Sequence, residues 1–180
     1  MNKLNAKQLR ISKPTEKELQ KIQRLPIYLV LDRIIDTYNT GSLFRLADAI
    51  AAEKMYLCGD MEYPPSIKIH RAAVGTENWV PWEKKSSTFN TVEKLKKQGV
   101  QIVAIEQHKK STDYRNLNSD IIRFPLAIVC GNESRGLPKK VINISDLLIE
   151  LPMMGINKSF NVWGSTAVAA YKILEFFKKD

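Results

Sequence analysis

Short apolar runs alternate along the chain with segments whose apolar positions recur every three or four residues, the two periods that separate strands from amphipathic helices. Residues 27–31 (Ile-Tyr-Leu-Val-Leu), 54–59, 100–105, 124–130 and 147–151 read as strands, and 79–82 as a short one around Pro81. Between them, Leu43, Leu46, Ala47 and Ile50 form one helical stripe, with Asn39 or Thr40 offering a side-chain oxygen to cap it. Residues 67–74 suit a short helix, and residues 91–98 a further one, opened by Asn90 and Glu93 and stopped by Gly99. A last helix, from about 161 to 178, carries Gly164, Ser165, Ala167, Ala169 and Ala170, small enough to let another element approach closely. This order predicts an α/β fold, a largely parallel sheet with helices on both faces.

At 180 residues and 44% apolar, the chain fills one core, expected over residues 25–180. Residues 1–24 form a basic extension, with a capping box, Thr15 and Glu18, after Pro14. The formal charge of +9 favours a polyanionic partner, nucleic acid first, with acidic membrane surfaces, acidic small substrates or plain solubility as alternatives. The extension holds seven lysines and arginines against two glutamates, more than half of that excess. Lys7, Arg10, Lys13, Lys17, Lys21 and Arg24 are therefore candidate RNA contacts; a solubilising tail is the plainer reading. Cys58 and Cys130 sit beside apolar runs and read as buried thiols. With only His70 and His108 available, no spacing suggests a metal site. No run has the length of a signal core or membrane span, which favours the cytoplasm.

Two strand-to-helix junctions carry the candidate chemistry. At the first, Arg45 falls off the apolar stripe, less than two turns into the expected helix, where it would line the crevice at the strand end or simply pair with Asp48. At the second, Gly131-Asn132-Glu133-Ser134-Arg135-Gly136-Leu137 places two glycines five apart, a turn whose backbone can approach a ligand. The glycines form neither G-x-G-x-x-G nor G-x-x-x-x-G-K-[ST], and no G-x-S-x-G elbow is present, so dinucleotide, P-loop and serine-hydrolase readings are weak.

Asn39-x-Gly41-Ser42-x-x-Arg45-x-Ala47-Asp48-Ala49, then residues 131–137, then Leu151-Pro152-Met153 with Ser159-Phe160-Asn161-Val162 together resemble the three motifs of the TrmH-like (SpoU) branch of the SPOUT RNA methyltransferases, in the same order. The resemblance implies a C-terminal trefoil knot from about residue 124 onward and S-adenosylmethionine held bent in it by three loops. Those loops are Ile105 and Glu106, Gly131 and Asn132, and residues 151–160, with Leu151, Met153, Ser159 and Phe160 around the cofactor. Asn39, Arg45, Glu133, Ser159 and Asn161 fall at the family's functional polar positions. It further implies a homodimer that methylates a ribose 2′ oxygen of RNA, tRNA ahead of rRNA. A noncatalytic RNA-binding module of the same fold is the alternative from another class. Trp163 stands where the family has a small residue, which bears on the packing of the last helix and on the dimer.

Overall fold

The computed structural model describes residues 14–177. Seven strands, β1 (Leu25–Asp32), β2 (Ala52–Cys58), β3 (Trp82–Lys85), β4 (Gln101–Ile105), β5 (Thr112–Asp113), β6 (Leu126–Cys130) and β7 (Leu147–Glu150), form one sheet in the order β3-β2-β1-β6-β4-β7-β5. Every pairing is parallel, as the near-continuous apolar runs predict. The helices are α1 (Glu16–Leu19), α2 (Thr37–Ala49), α3 (Ile67–Ala73), α4 (Thr88–Lys97), α5 (Lys139–Ile144) and α6 (Val162–Leu174). None of the described helices is long and apolar enough to cross a membrane.

The two-residue period of the strands divides the core. Ile27, Leu29 and Leu31 of β1 and Leu126, Ile128 and Cys130 of β6 point to one face, where Leu43 and Phe44 of α2, Ile69 of α3 and Ala169 of α6 cover them. Val30, Ile102, Ala104, Ala127 and Val129 point to the other, under Val92 and Leu95 of α4 and Val141 of α5. Gly41 sets the depth of the α2–α3 contact, since a Cβ there would lie 2.7 Å from the backbone nitrogen of Ala73. Cys58 and Cys130 are the buried thiols expected, pushed by burial to about 11 and about 12.

Several boundaries differ from the sequence expectation. The cap of α2 is Asp36, whose carboxylate accepts the Tyr38 N–H at 2.8 Å, so Asn39 and Thr40 lie inside the helix and are buried. Arg45 consequently sits more than two turns along α2. Ser87, not Asn90, opens α4, its hydroxyl accepting the Asn90 N–H. The expected strand at 79–82 starts instead at Trp82, because a 3-10 turn over Thr76–Asn78 runs straight into Trp79 and Val80. The two-residue β5 and the short α5 were too brief to show in the pattern. Trp163 fits the last helix, half-buried against the main core. The small residues Ala169 and Ala170 face that core, leaving Val168 and Tyr171 on the outer side of α6.

Candidate active site

Parallel strands end on one edge, and there the segments following β4, β6 and β7 close around a cavity of about 540 Å³. Ile105, Glu106, Gly131, Asn132, Leu151, Ser159 and Phe160 of the expected set line it, together with Glu133 and Asn161. Met153 and Arg45 do not. Gln107, just beyond the expected Ile105 and Glu106, meets Lys158 of the expected 151–160 loop in the wall, where the Gln107 amide donates to the Lys158 carbonyl at 2.7 Å.

The 131–137 loop is shaped by its own side chains. The Oδ1 of Asn132 accepts the N–H groups of Ser134 and Arg135 at 3.0 and 2.9 Å, and its Nδ2 donates to the Arg33 carbonyl at 2.8 Å. Asn132 is thus a buried brace for the loop. Gly136 has φ +62°, in the left-handed region, and the Glu106 carboxylate accepts the next N–H, that of Leu137, at 2.7 Å. A Cβ on Gly131 would lie 2.7 Å from both the Gly136 carbonyl carbon and the Leu137 nitrogen, so the loop closes only over glycine.

The three motifs are joined by one hydrogen-bond chain. Glu133 accepts the N–H groups of Ile35 and Asp36 at 3.0 and 3.1 Å and the Asn39 Nδ2 at 3.0 Å. Asn39 Oδ1 accepts the Asn161 Nδ2 at 3.0 Å, and Asn161 Oδ1 caps α6 by accepting the Trp163 N–H at 2.9 Å. Because an ionised carboxylate can only accept, Glu133 fixes the orientation of the Asn39 amide, which in turn fixes that of Asn161. Burial pushes the Glu133 carboxyl up, but the Ile35 N–H, the Asn39 amide and the Asp36 N–H outweigh it and hold its pKa below the ordinary carboxylate value.

A carboxyl whose pKa is lowered on folding adds stability above its unfolded pKa and loses it as pH falls through the folded value. The melting-temperature advantage of the wild type over Glu133→Gln should therefore be full at pH 7 and close below about pH 4.5. An advantage constant across thermal melts over that range would mean that the Glu133 charge does not hold the chain of amides.

The basic candidates divide. Lys17 and Lys21 are exposed, whereas the Arg24 guanidinium donates to the carbonyls of Ala52 and Trp79, both at 3.0 Å, and ties the extension to the domain. Two of the Arg24 donors are thus spent on backbone oxygens, which anchors this side chain against the domain. Lys7, Arg10 and Lys13 lie outside the described residues. Arg45 is exposed on α2, and its expected surface partner is engaged elsewhere, since Asp48 accepts the Trp79 indole N–H at 2.7 Å.

Comparison with known proteins agrees with this arrangement. The model of the SpoU rRNA Methylase family matches residues 26–171. A Staphylococcus saprophyticus subsp. saprophyticus protein assigned by name to the TrmH family of tRNA/rRNA methyltransferases is 32% identical over 89% of this chain and 62% of its own length. The crystal structure of an AdoMet-bound rRNA methyltransferase from Sinorhizobium meliloti superposes with a TM-score of 0.77 at 26% identity, over 95% of this chain and 61% of that one. An RNA 2′-O ribose methyltransferase structure gives 0.72 at 26% identity, over 90% and 61%. The chain thus spans about three fifths of these relatives, 61% to 62% of their length. Since the matched region includes all three motifs and every loop of the cavity, the chain belongs to the SpoU rRNA methylase family.

Proposed function

We propose that the protein is an S-adenosylmethionine-dependent RNA 2′-O-ribose methyltransferase, with tRNA ahead of rRNA as substrate. The observation that carries this reading is the chain Glu133–Asn39–Asn161, which ties the first and third motifs to the loop bounding the cavity. The cavity suits the cofactor: about 540 Å³ falls within the range of roughly 300–1,000 Å³ usual for ligand sites. Leu151 and Phe160 offer apolar surface to an adenine, and the loop backbones offer its edges hydrogen bonds. The AdoMet-bound and ribose 2′-O-methylating relatives support the same assignment. The reading includes threading of the segment from about residue 124 into a trefoil knot, in keeping with β6 inserted between β1 and β4.

S-adenosylmethionine, when bound, supplies a methyl group on a positively charged sulfonium. The chain's part is to hold the nucleophile and steady its charge. Asn39 and Asn161, locked by Glu133, keep the start of α6 and the third loop fixed against α2. Ser159 lines the same wall and is exposed to an incoming hydroxyl. Arg45 grips the phosphate beside the target ribose through a two-pronged hydrogen bond and stabilises the oxyanion developing at the 2′ oxygen. A guanidinium offers donors and no acceptor, so the ribose proton leaves to phosphate or water rather than to Arg45.

A homodimer completes the reading. Ile35, Tyr38, Phe160 and Tyr171 are all more than half exposed, large apolar side chains that a second copy would cover. Calorimetric titration tests the cofactor assignment: a folded chain that binds no S-adenosylmethionine at millimolar concentration rules it out. Light scattering at micromolar protein should return twice the chain mass of 20.6 kDa, and a monomer mass would count against the dimer.

A further inference from the structure

A second, smaller cavity of about 140 Å³ opens on the same edge of the sheet, at the ends of β1 and β2, with Asp32, Arg33, Gly59, Ser86, Thr88 and Lys140 among its lining residues. It is below the size of a cofactor site, and its chemistry is that of an oxyanion hole. Asp32 is buried and fully engaged: one oxygen accepts the Thr88 hydroxyl, and the other accepts Arg33 Nη2 at 2.8 Å and Nε at 3.2 Å. That pair neutralises the carboxylate and fixes the guanidinium at the rim, leaving its remaining N–H groups for a ligand. Lys140 adds a cation from α5, a different element. Its Nζ lies 5.2 Å from the Phe89 ring centroid, and among the described residues no carboxylate forms an ion pair with it. The wall also contains Thr88 and Phe89, the first residues of the ten-residue helix α4. With the Asp32 charge offset by Arg33, Lys140 leaves the cavity one net positive charge, which suits a singly charged oxyanion such as a phosphodiester.

The cavity's position says which one. Leu31 of β1 pairs with Cys130 of β6, which lines the large cavity, while Asp32 pairs with Cys58 of β2, adjacent to Gly59 of the small one. Both cavities open at the strand ends beside β1, the large one lined by α6 on one face of the sheet and the small one by α4 and α5 on the other, so an RNA strand that crosses this edge can meet both. They share a wall as well, through the Asn132 amide on the Arg33 carbonyl. We propose that the small cavity holds a backbone phosphate of the RNA strand whose ribose is presented at the large cavity, with Lys140 and Arg33 as its cations. This rests on RNA being the substrate.

Two measurements on the full chain test it separately from that reading. In the first, inorganic phosphate is titrated into labelled protein and followed by amide resonances. Ser87, Thr88 and Phe89 should shift in the wild type and in Lys140→Arg, and respond weakly in Lys140→Gln; thermal melts confirm that each variant folds. In the second, RNA affinity is measured against salt. Lys140→Gln should lower the slope of log affinity against log salt by about 0.7 to 1, the loss of one phosphate contact. Lys139→Gln, the same charge change one residue away and off the cavity, should leave the slope within error of wild type. No phosphate response at these amides, or one that Lys140→Gln leaves intact, overturns the site. A phosphate response with equal salt slopes in all variants overturns its assignment to RNA. A wild type that binds no RNA defeats the substrate reading itself, while the phosphate titration still decides whether the oxyanion site exists.

Discussion

Arg45→Ala should slow single-turnover methyl transfer at saturating RNA by about 100-fold or more, the loss seen when a donor to a developing oxyanion is removed. The structure removes the plainer role for this side chain. Its expected partner, Asp48, is bonded to the Trp79 indole, and Arg45 stands exposed on a helix whose beginning is fixed through Asn39. Arg45 is six residues beyond Asn39, about 9 Å along the axis at 1.5 Å per residue, so the anchored end of α2 sets where its backbone stands relative to Asn39. Arg45→Lys keeps the charge and loses the fork, and should retain part of the rate. Both variants should bind S-adenosylmethionine with wild-type affinity, because Arg45 is not among the cavity's lining residues. An alanine variant as fast as wild type would exclude Arg45 from the chemistry.

The second large effect is expected at Gly131. Valine there would put a Cβ 2.7 Å from the backbone of Gly136 and Leu137, contacts that no rotamer can relieve because both neighbours are main chain. The 131–137 loop would have to open, displacing the Leu137 N–H from Glu106 and the wall of the cavity with it. Gly131→Val should therefore bind S-adenosylmethionine at least tenfold more weakly in calorimetry. Thermal melting should still show a cooperative transition, since β6 ends at Cys130 and the core beneath is untouched. Unaltered affinity in a folded variant would mean that this loop does not shape the cofactor site.

Five of the seven strands were legible because a parallel sheet covered on both faces writes itself as uninterrupted apolar runs, and the three motifs because their polar residues cannot belong to those runs. What joins the motifs was not legible. Asn39 looked like a helix cap, and only the preceding Asp36, by taking that role, frees its amide for Glu133 and Asn161. Those partners are 94 and 122 residues away, brought near by the insertion of β6 beside β1, which no local period encodes. The anchoring of Arg24 was hidden for a related reason: counting charge says nothing about which carbonyls a guanidinium will find. Gln107 gave no signal either, since its contact is a side chain on a distant backbone oxygen.

The most direct test is to incubate the purified protein with methyl-labelled S-adenosylmethionine and total RNA, digest the RNA to nucleosides and identify the labelled product. The account predicts label on a 2′-O-methylated nucleoside, recovered chiefly from the tRNA fraction. Label on a base, or RNA that stays unlabelled beside a protein that binds the cofactor, would contradict it.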